Sequence, residues 1–156
     1  MPNSNMDFVC DCISSESKMN FIGSWRKHDS VHVYQYKIEM QQNSSNILAM
    51  DFDNTIVTTE TGKKFPISES DWKIIDNMIV DRISSYTKGN FRLVIFSNQH
   101  GISLGKSDIP QIKKRFENVI RTLKIPCTAM IATANDIYRK PRPGMYYLFQ
   151  QYYNNN

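Results

Sequence analysis

Three short apolar runs recur along the chain, and each stops abruptly at polar residues. Ile47-Leu48-Ala49-Met50 ends at Asp51, Arg92-Leu93-Val94-Ile95-Phe96 ends at Ser97-Asn98-Gln99, and Thr128-Ala129-Met130-Ile131-Ala132 ends at Thr133. Runs of this length, bounded by polar residues, predict strands buried on both faces of a parallel sheet. A fourth run, Val31 to Lys37, is β-branched and aromatic with partial alternation. It predicts a strand that Gln41-Gln42-Asn43-Ser44-Ser45-Asn46 breaks. Between the runs the period changes to that of a helix. Trp72, Ile75, Met78, Ile79, Ile83 and Tyr86 follow Ser68-Glu69-Ser70-Asp71, whose side-chain oxygens suit a helix start, and the pattern ends at Gly89. Pro110 opens a second helix with Ile112, Phe116, Val119, Ile120 and Leu123 on one face. Pro143 to Tyr153 predicts a third helix, Thr58 to Phe65 a short hairpin turning at Gly62-Lys63, and residues 1–20 an irregular arm.

Strands alternating with helices predict an α/β fold, and 156 residues fit one domain over 21–156 with its core in 47–150. In such sheets ligands bind beyond the C-terminal ends of the strands. That directs attention to Asp51–Thr55, Ser97–Gln99 and Thr133–Lys140.

Composition narrows the class further. The chain is 40% hydrophobic and 22% charged, an ordinary globular balance, and its net charge of +4 fits an anionic partner without demonstrating one. No apolar run approaches the length of a membrane span, and the start has neither the basic flank nor the apolar segment of a signal peptide. A soluble intracellular protein, cytoplasmic or nuclear, with no membrane association is expected. Three cysteines, two of them at positions 10 and 12, cannot build a disulfide framework. Cys10, Cys12, His28 and His32 have cysteines too close for a usual zinc site. Gly101 to Ser107 has three residues between its glycines where a P-loop has four. Neither zinc nor a kinase activity is expected.

Asp51-Phe52-Asp53-Asn54-Thr55 sets two carboxylates two residues apart where a strand runs into a loop. One carboxylate can attack a phosphorus centre while the other handles the leaving-group proton. A carboxylate nucleophile facing a phosphate dianion needs a cation between them, which implies Mg²⁺. Ser97 offers a hydroxyl and an amide to a phosphoryl oxygen, and Lys140 a positive charge. Trp72, Phe65, Tyr146, Tyr147 and Phe149 have the chemistry to stack on bases, and Lys63, Lys64, Lys106, Lys113, Lys114 and Arg115 to contact phosphates. The alternative is that the aromatics are core and the lysines a solvated face; core packing is the expectation for Trp72 and Tyr147, while Lys63 and Lys64 stay open between the two.

In this order the strand leading to D-x-D-x-T, the strand leading to Ser97 and the downstream Lys140 resemble the haloacid dehalogenase-like phosphohydrolases. Within them the chain is most similar to the 3′-phosphatase domain of the polynucleotide kinase 3′-phosphatases. That likeness rests on Thr58-Thr59, Gly62-Lys63, Phe65-Pro66, Ser70-Asp71-Trp72, Leu93 to Gln99, Gly101-Ile102, Gly105-Lys106, Ala132-Thr133, Tyr138-Arg139-Lys140-Pro141 and Gly144-Met145. The resemblance implies a Rossmannoid three-layer sandwich with a parallel sheet and a small β-hairpin flap. It implies Asp51 as nucleophile, Asp53 as general acid and base, Ser97 as phosphoryl binder and Lys140 as electrostatic stabiliser. The Asp51 carboxylate and the Asp53 carbonyl would hold Mg²⁺, with Thr55, Asn98, Gln99, Lys63, Lys106 and Arg139 toward the substrate. The implied reaction removes the 3′-phosphate from single-stranded or frayed DNA ends through an aspartyl-phosphate.

The likeness stops before a fourth acidic motif: sixteen residues follow Lys140 and none is acidic. A sheet without that strand leaves an open edge for a homodimer or a partner chain to cover. A degenerate domain that binds DNA ends or a protein, and a small-molecule phosphatase, are the alternative expectations. Asn54 stands where glycine is common in the family's first motif.

Overall fold

The structure is a computed structural model that describes residues 23–41, 43–102 and 104–154. Its centre is a five-stranded sheet in the order β1-β2-β7-β6-β3. The strands are β1 (Ser24–His28), β2 (Val31–Tyr36), β3 (Ile47–Met50), β6 (Arg92–Asn98) and β7 (Cys127–Ala132). The three apolar runs are the parallel strands β3, β6 and β7, joined through α1 (Asn77–Lys88) and α2 (Ile109–Leu123). The α/β reading and the haloacid dehalogenase-like layering hold, and the sheet is mixed rather than all parallel. β1 and β2 form an antiparallel hairpin laid along β7, with Val31 opposite Ala132 and Tyr36 opposite Cys127. β1 carries no period-2 signal because it is an edge strand, largely exposed, with the successive residues Arg26 and Lys27 both open to solvent.

Alternation along β6 sends residues to two cores. Leu93 and Ile95 join Phe116, Val119, Ile120 and Ile83 under α1 and α2. Val94 joins Val31, Met130 and the Met145, Leu148 and Phe149 side chains of α3 (Gly144–Tyr152) on the opposite face. This is the expected three-layer arrangement. Each fully buried large apolar side chain, such as Phe116 or Ile120, contributes about 1.5–3 kcal/mol.

Three expectations are corrected. β3 is not buried on both faces: it is the edge of the sheet, with Ala49 exposed and Ile47, Leu48 and Met50 half-buried, because no described strand pairs with its outer side. The Thr58–Phe65 hairpin is replaced by a wider one. β4 (Val57–Thr58) pairs with β5 (Lys73–Ile74), and residues 59–72 form the loop between them. α1 therefore starts at Asn77 rather than after Ser68–Asp71. Asp76 is its cap, accepting from the Met78 amide at 2.9 Å. Met78 and Tyr86, expected on the buried face, are exposed. Expectations for residues 1–22, including Cys10 and Cys12, lie outside the described residues. Cys127 is buried and its thiol is pushed up to about 12 by burial, consistent with a reduced core residue.

Candidate active site

The first carboxylate loop is built on an apolar anchor. Phe52 is fully buried and stacks on Phe116 of α2, ring centroids 3.7 Å apart, so Asp51 and Asp53 on either side of it face the polar end of the sheet. The Phe52 carbonyl accepts from the Ile56 and Val57 amides, which turns the chain sharply. Asn54 holds the turn with φ +59°, the left-handed region that glycine and asparagine enter most cheaply. That is the physical reason asparagine serves where glycine is common.

Each carboxylate has its own cation. Lys140 Nζ lies 2.9 Å from Asp51 Oδ1 and donates to the Phe96 carbonyl at 2.6 Å. The Phe52 amide donates to the same Asp51 oxygen at 2.8 Å, leaving Oδ2 open on a side chain 48% exposed. Asn98 brackets Lys140: its Oδ1 accepts from the Lys140 amide at 3.0 Å, and its Nδ2 donates to the Lys140 carbonyl at 3.1 Å. Asp53 is held differently. Arg115 Nη1 donates to Oδ1 at 2.7 Å, and Gln99 Nε2 to Oδ2 at 2.7 Å. Gln99 Nε2 also reaches the Ser97 hydroxyl at 3.1 Å, and Ser97 is buried on the floor of the site.

The structure thus brings Asp51, Asp53, Ser97 and Lys140 together from three strand ends. Asn98 and Gln99 join them by orienting Lys140 and Asp53. The side chains of Thr55, Lys63, Lys106 and Arg139 make no hydrogen bond or ion pair with those four among the described residues; Lys63 and Lys106 are exposed. Arg115 is the correction here. As a candidate phosphate contact it is expected at the surface, yet it is buried against Phe52 with its charge on Asp53. A signal was present: Ile112, Arg115, Phe116, Val119, Ile120 and Leu123 form one i, i+3, i+4 stripe, and an arginine in an apolar stripe needs a buried partner. Tyr147, expected in the core, is 64% exposed, whereas Trp72 packs against the main core as expected.

The 59–72 loop is stapled at its base. Asp71, buried, accepts from the Thr61 amide and hydroxyl and from the Ile67 amide, at 2.9 to 3.0 Å. The Thr61 amide bond does most to hold its carboxyl below the usual range. The Ile75 amide donates to the Ile56 carbonyl, rooting this flap in the Asp51–Asp53 turn. Phe65 and Lys64 project from it.

A divalent cation fits the donor chemistry. The two carboxylates balance Lys140 and Arg115, so a phosphate dianion would leave the site about two charges negative without a metal. The Asp51 carboxylate and a backbone carbonyl are hard oxygen donors, and Mg²⁺ readily keeps waters for the rest. No cluster of three acidic, histidine or cysteine ligands occurs among the described residues. His28 instead meets the Tyr153 hydroxyl at 2.6 Å. A cleft of about 740 Å³, lined by residues including Met40, Ser84, Phe91 and Lys124, opens beside the N-terminal ends of β6 and β7 and contains none of the carboxylate residues. Chemistry rather than cavity size locates the site. No helix among the described residues is long and apolar enough to cross a membrane.

Comparison with known proteins adds three findings. Residues 46–156 match the family described as polynucleotide kinase 3 phosphatase. The bifunctional polynucleotide phosphatase/kinase of Schizosaccharomyces pombe is 26% identical over 147 residues, 94% of this chain but 35% of that protein. The polynucleotide 3′-phosphatase ZDP of Arabidopsis thaliana is 24% identical over 86% of this chain and 21% of its own length. The chain therefore spans about a third or less of these two relatives. Among solved structures, a Mesorhizobium loti protein assigned as a had-like phosphatase superposes with a TM-score of 0.69 at 16% identity, over 81% of this chain and 66% of that one. The D,D-heptose 1.7-bisphosphate phosphatase of B. bronchiseptica, complexed with magnesium and phosphate, gives 0.56 at 21%, over 69% and 63%.

Proposed function

We propose that this chain, which belongs to the polynucleotide kinase 3 phosphatase family, hydrolyses the 3′-phosphate at DNA ends through a phosphorylated Asp51. The observation that carries the reading is the Asp51 carboxylate, with one oxygen fixed by Lys140 and the Phe52 amide and the other free among the described residues. The free oxygen attacks phosphorus, and the bond to the 3′-oxygen breaks with its electron pair. Asp53, which enters this half protonated, gives its proton to the departing oxygen and is left as a carboxylate. In the second half Asp53 takes a proton from water, the water oxygen attacks phosphorus, and the bond to Asp51 breaks. Lys140 stays charged throughout and offsets the negative charge on the phosphoryl group. The Asp51 carboxylate and the Asp53 carbonyl would hold Mg²⁺, and the charge it would supply lets a carboxylate approach a phosphate dianion.

The names of the fission-yeast and Arabidopsis relatives support a polynucleotide substrate over a sugar phosphate. The exposed Lys63, Lys64 and Phe65 on the flap suit an unpaired strand. The open edge of β3 is where a second copy or a partner chain would pair. Initial rates of phosphate release separate the readings. A 3′-phosphorylated single-stranded oligonucleotide turned over in a Mg²⁺-dependent manner, and in preference to a sugar phosphate, is the expected result. Preference for the sugar phosphate would make the chain a small-molecule phosphatase. Binding of the oligonucleotide without turnover would make it a domain that only recognises ends.

A further inference from the structure

We infer that Arg115 and Gln99 form a clamp that fixes the Asp53 carboxylate for proton transfer, so that both are positioning residues of the reaction. This rests on the phosphatase reading above. Two donors from two elements, Arg115 on α2 and Gln99 just past β6, reach the two different oxygens of Asp53, each at 2.7 Å. A carboxylate held at one oxygen can still rotate, whereas one held at both cannot. Each oxygen keeps a lone pair for the proton it exchanges with the leaving group or with water. The clamp is itself anchored. Gln99 donates its backbone amide to the Ala132 carbonyl at 2.8 Å and its side chain to Ser97, and Arg115 lies over the Phe52 ring with its guanidinium carbon 5.2 Å from the centroid.

Stability alone does not account for Arg115. Its side chain is 4% exposed, and its Nε and Nη2 are buried without a hydrogen-bond partner among the described residues. Burying a guanidinium with donors unpaired is costly, and an apolar residue at this stripe position would serve the core better. The residue therefore costs folding energy, and its one hydrogen bond among the described residues goes to the side chain that must carry the proton. Such local violations of core chemistry are expected where function requires them.

The leaving group isolates the role. kcat/KM covers the steps through release of the leaving group, so it reports the acid half of the reaction. The 3′-oxygen of an oligonucleotide is a poor leaving alkoxide and needs a positioned acid, whereas the dinitrophenolate of 2,4-dinitrophenyl phosphate departs without one. Arg115→Ala is expected to lower kcat/KM for the oligonucleotide by about 10²-fold and for the aryl phosphate by less than about threefold. Arg115→Lys should recover part of the loss, and Gln99→Leu should move the ratio in the same direction by less. Equal losses on both substrates, or none, would overturn the clamp. Should Arg115→Ala fail to fold, the ratios for Arg115→Lys and Gln99→Leu decide. Should the wild type turn over neither substrate, the phosphatase reading fails by itself. The clamp is then judged by a double-mutant cycle on melting temperature, Arg115→Ala against Asp53→Asn: non-additive shifts support it and additive ones refute it.

Discussion

At the scale of single residues, this protein places charge where packing alone would not. Asp51 and Asp53 are two residues apart in sequence, yet one is paired with Lys140 from beyond β7 and the other with Arg115 from α2. Among the described residues the pairing leaves one Asp51 oxygen without a partner and holds Asp53 at both oxygens, which is the division of labour the proposed mechanism would use. The carboxylates, Ser97 and Lys140 were legible because each ends an apolar run or follows one. Arg115 was not, because its partner lies sixty-two residues away and only its position in the helix stripe marks it. His32 shows the same principle away from the site. It is 7% exposed with Nδ1 unpartnered, and burial, followed by the charges of Lys113 and Lys27, holds its pKa down to about 4. The unfolded chain takes up that proton near the ordinary 6.5, so stability is intact above pH 6.5 and declines as pH falls toward 4. The loss is at most about 3 kcal/mol. Melting temperatures from pH 7 to 4.5 should fall less steeply for His32→Gln than for the wild type; parallel curves would assign the acid sensitivity to other groups.

At the scale of elements, the apolar runs gave strand positions correctly but not their neighbours. Ile47–Met50 reads as an interior strand by composition, and it stands at the edge because pairing is a property of the whole sheet rather than of four residues. The flap was misread for a related reason. Trp72 and Ile75 happen to fall at helical spacing with Ile79, while the Val57–Thr58 pairing with Lys73–Ile74 delays the helix to Asn77. Asp71, read as part of a helix start, instead accepts three hydrogen bonds across the base of the flap. Asp71→Asn keeps the shape but loses the carboxylate that accepts them. Limited proteolysis should then cut the variant within residues 60–70 faster than the wild type, with the rest of the domain equally resistant. Unchanged cleavage would mean that the flap is held by something other than this staple.

At the scale of the whole molecule, the layers explain why the site lies where it does. The parallel strands β3, β6 and β7 run the same way, so Asp51, Ser97 and the segment leading to Lys140 emerge at one end, while α1 and α2 cover one face and α3 the other. The haloacid dehalogenase-like arrangement was legible in the sequence to this extent, and the antiparallel hairpin added along β7 was only half visible. In the proposed mechanism the free oxygen of Asp51 attacks phosphorus. That step is tested most directly by phosphate release from a 3′-phosphorylated single-stranded oligonucleotide in Mg²⁺, for the wild type and Asp51→Asn, with oligonucleotide binding followed in parallel. A carboxamide keeps the shape of the side chain and loses the nucleophile, so release should fall by on the order of 10³-fold or more while binding persists. Release at the wild-type rate from a folded Asp51→Asn variant would contradict the account.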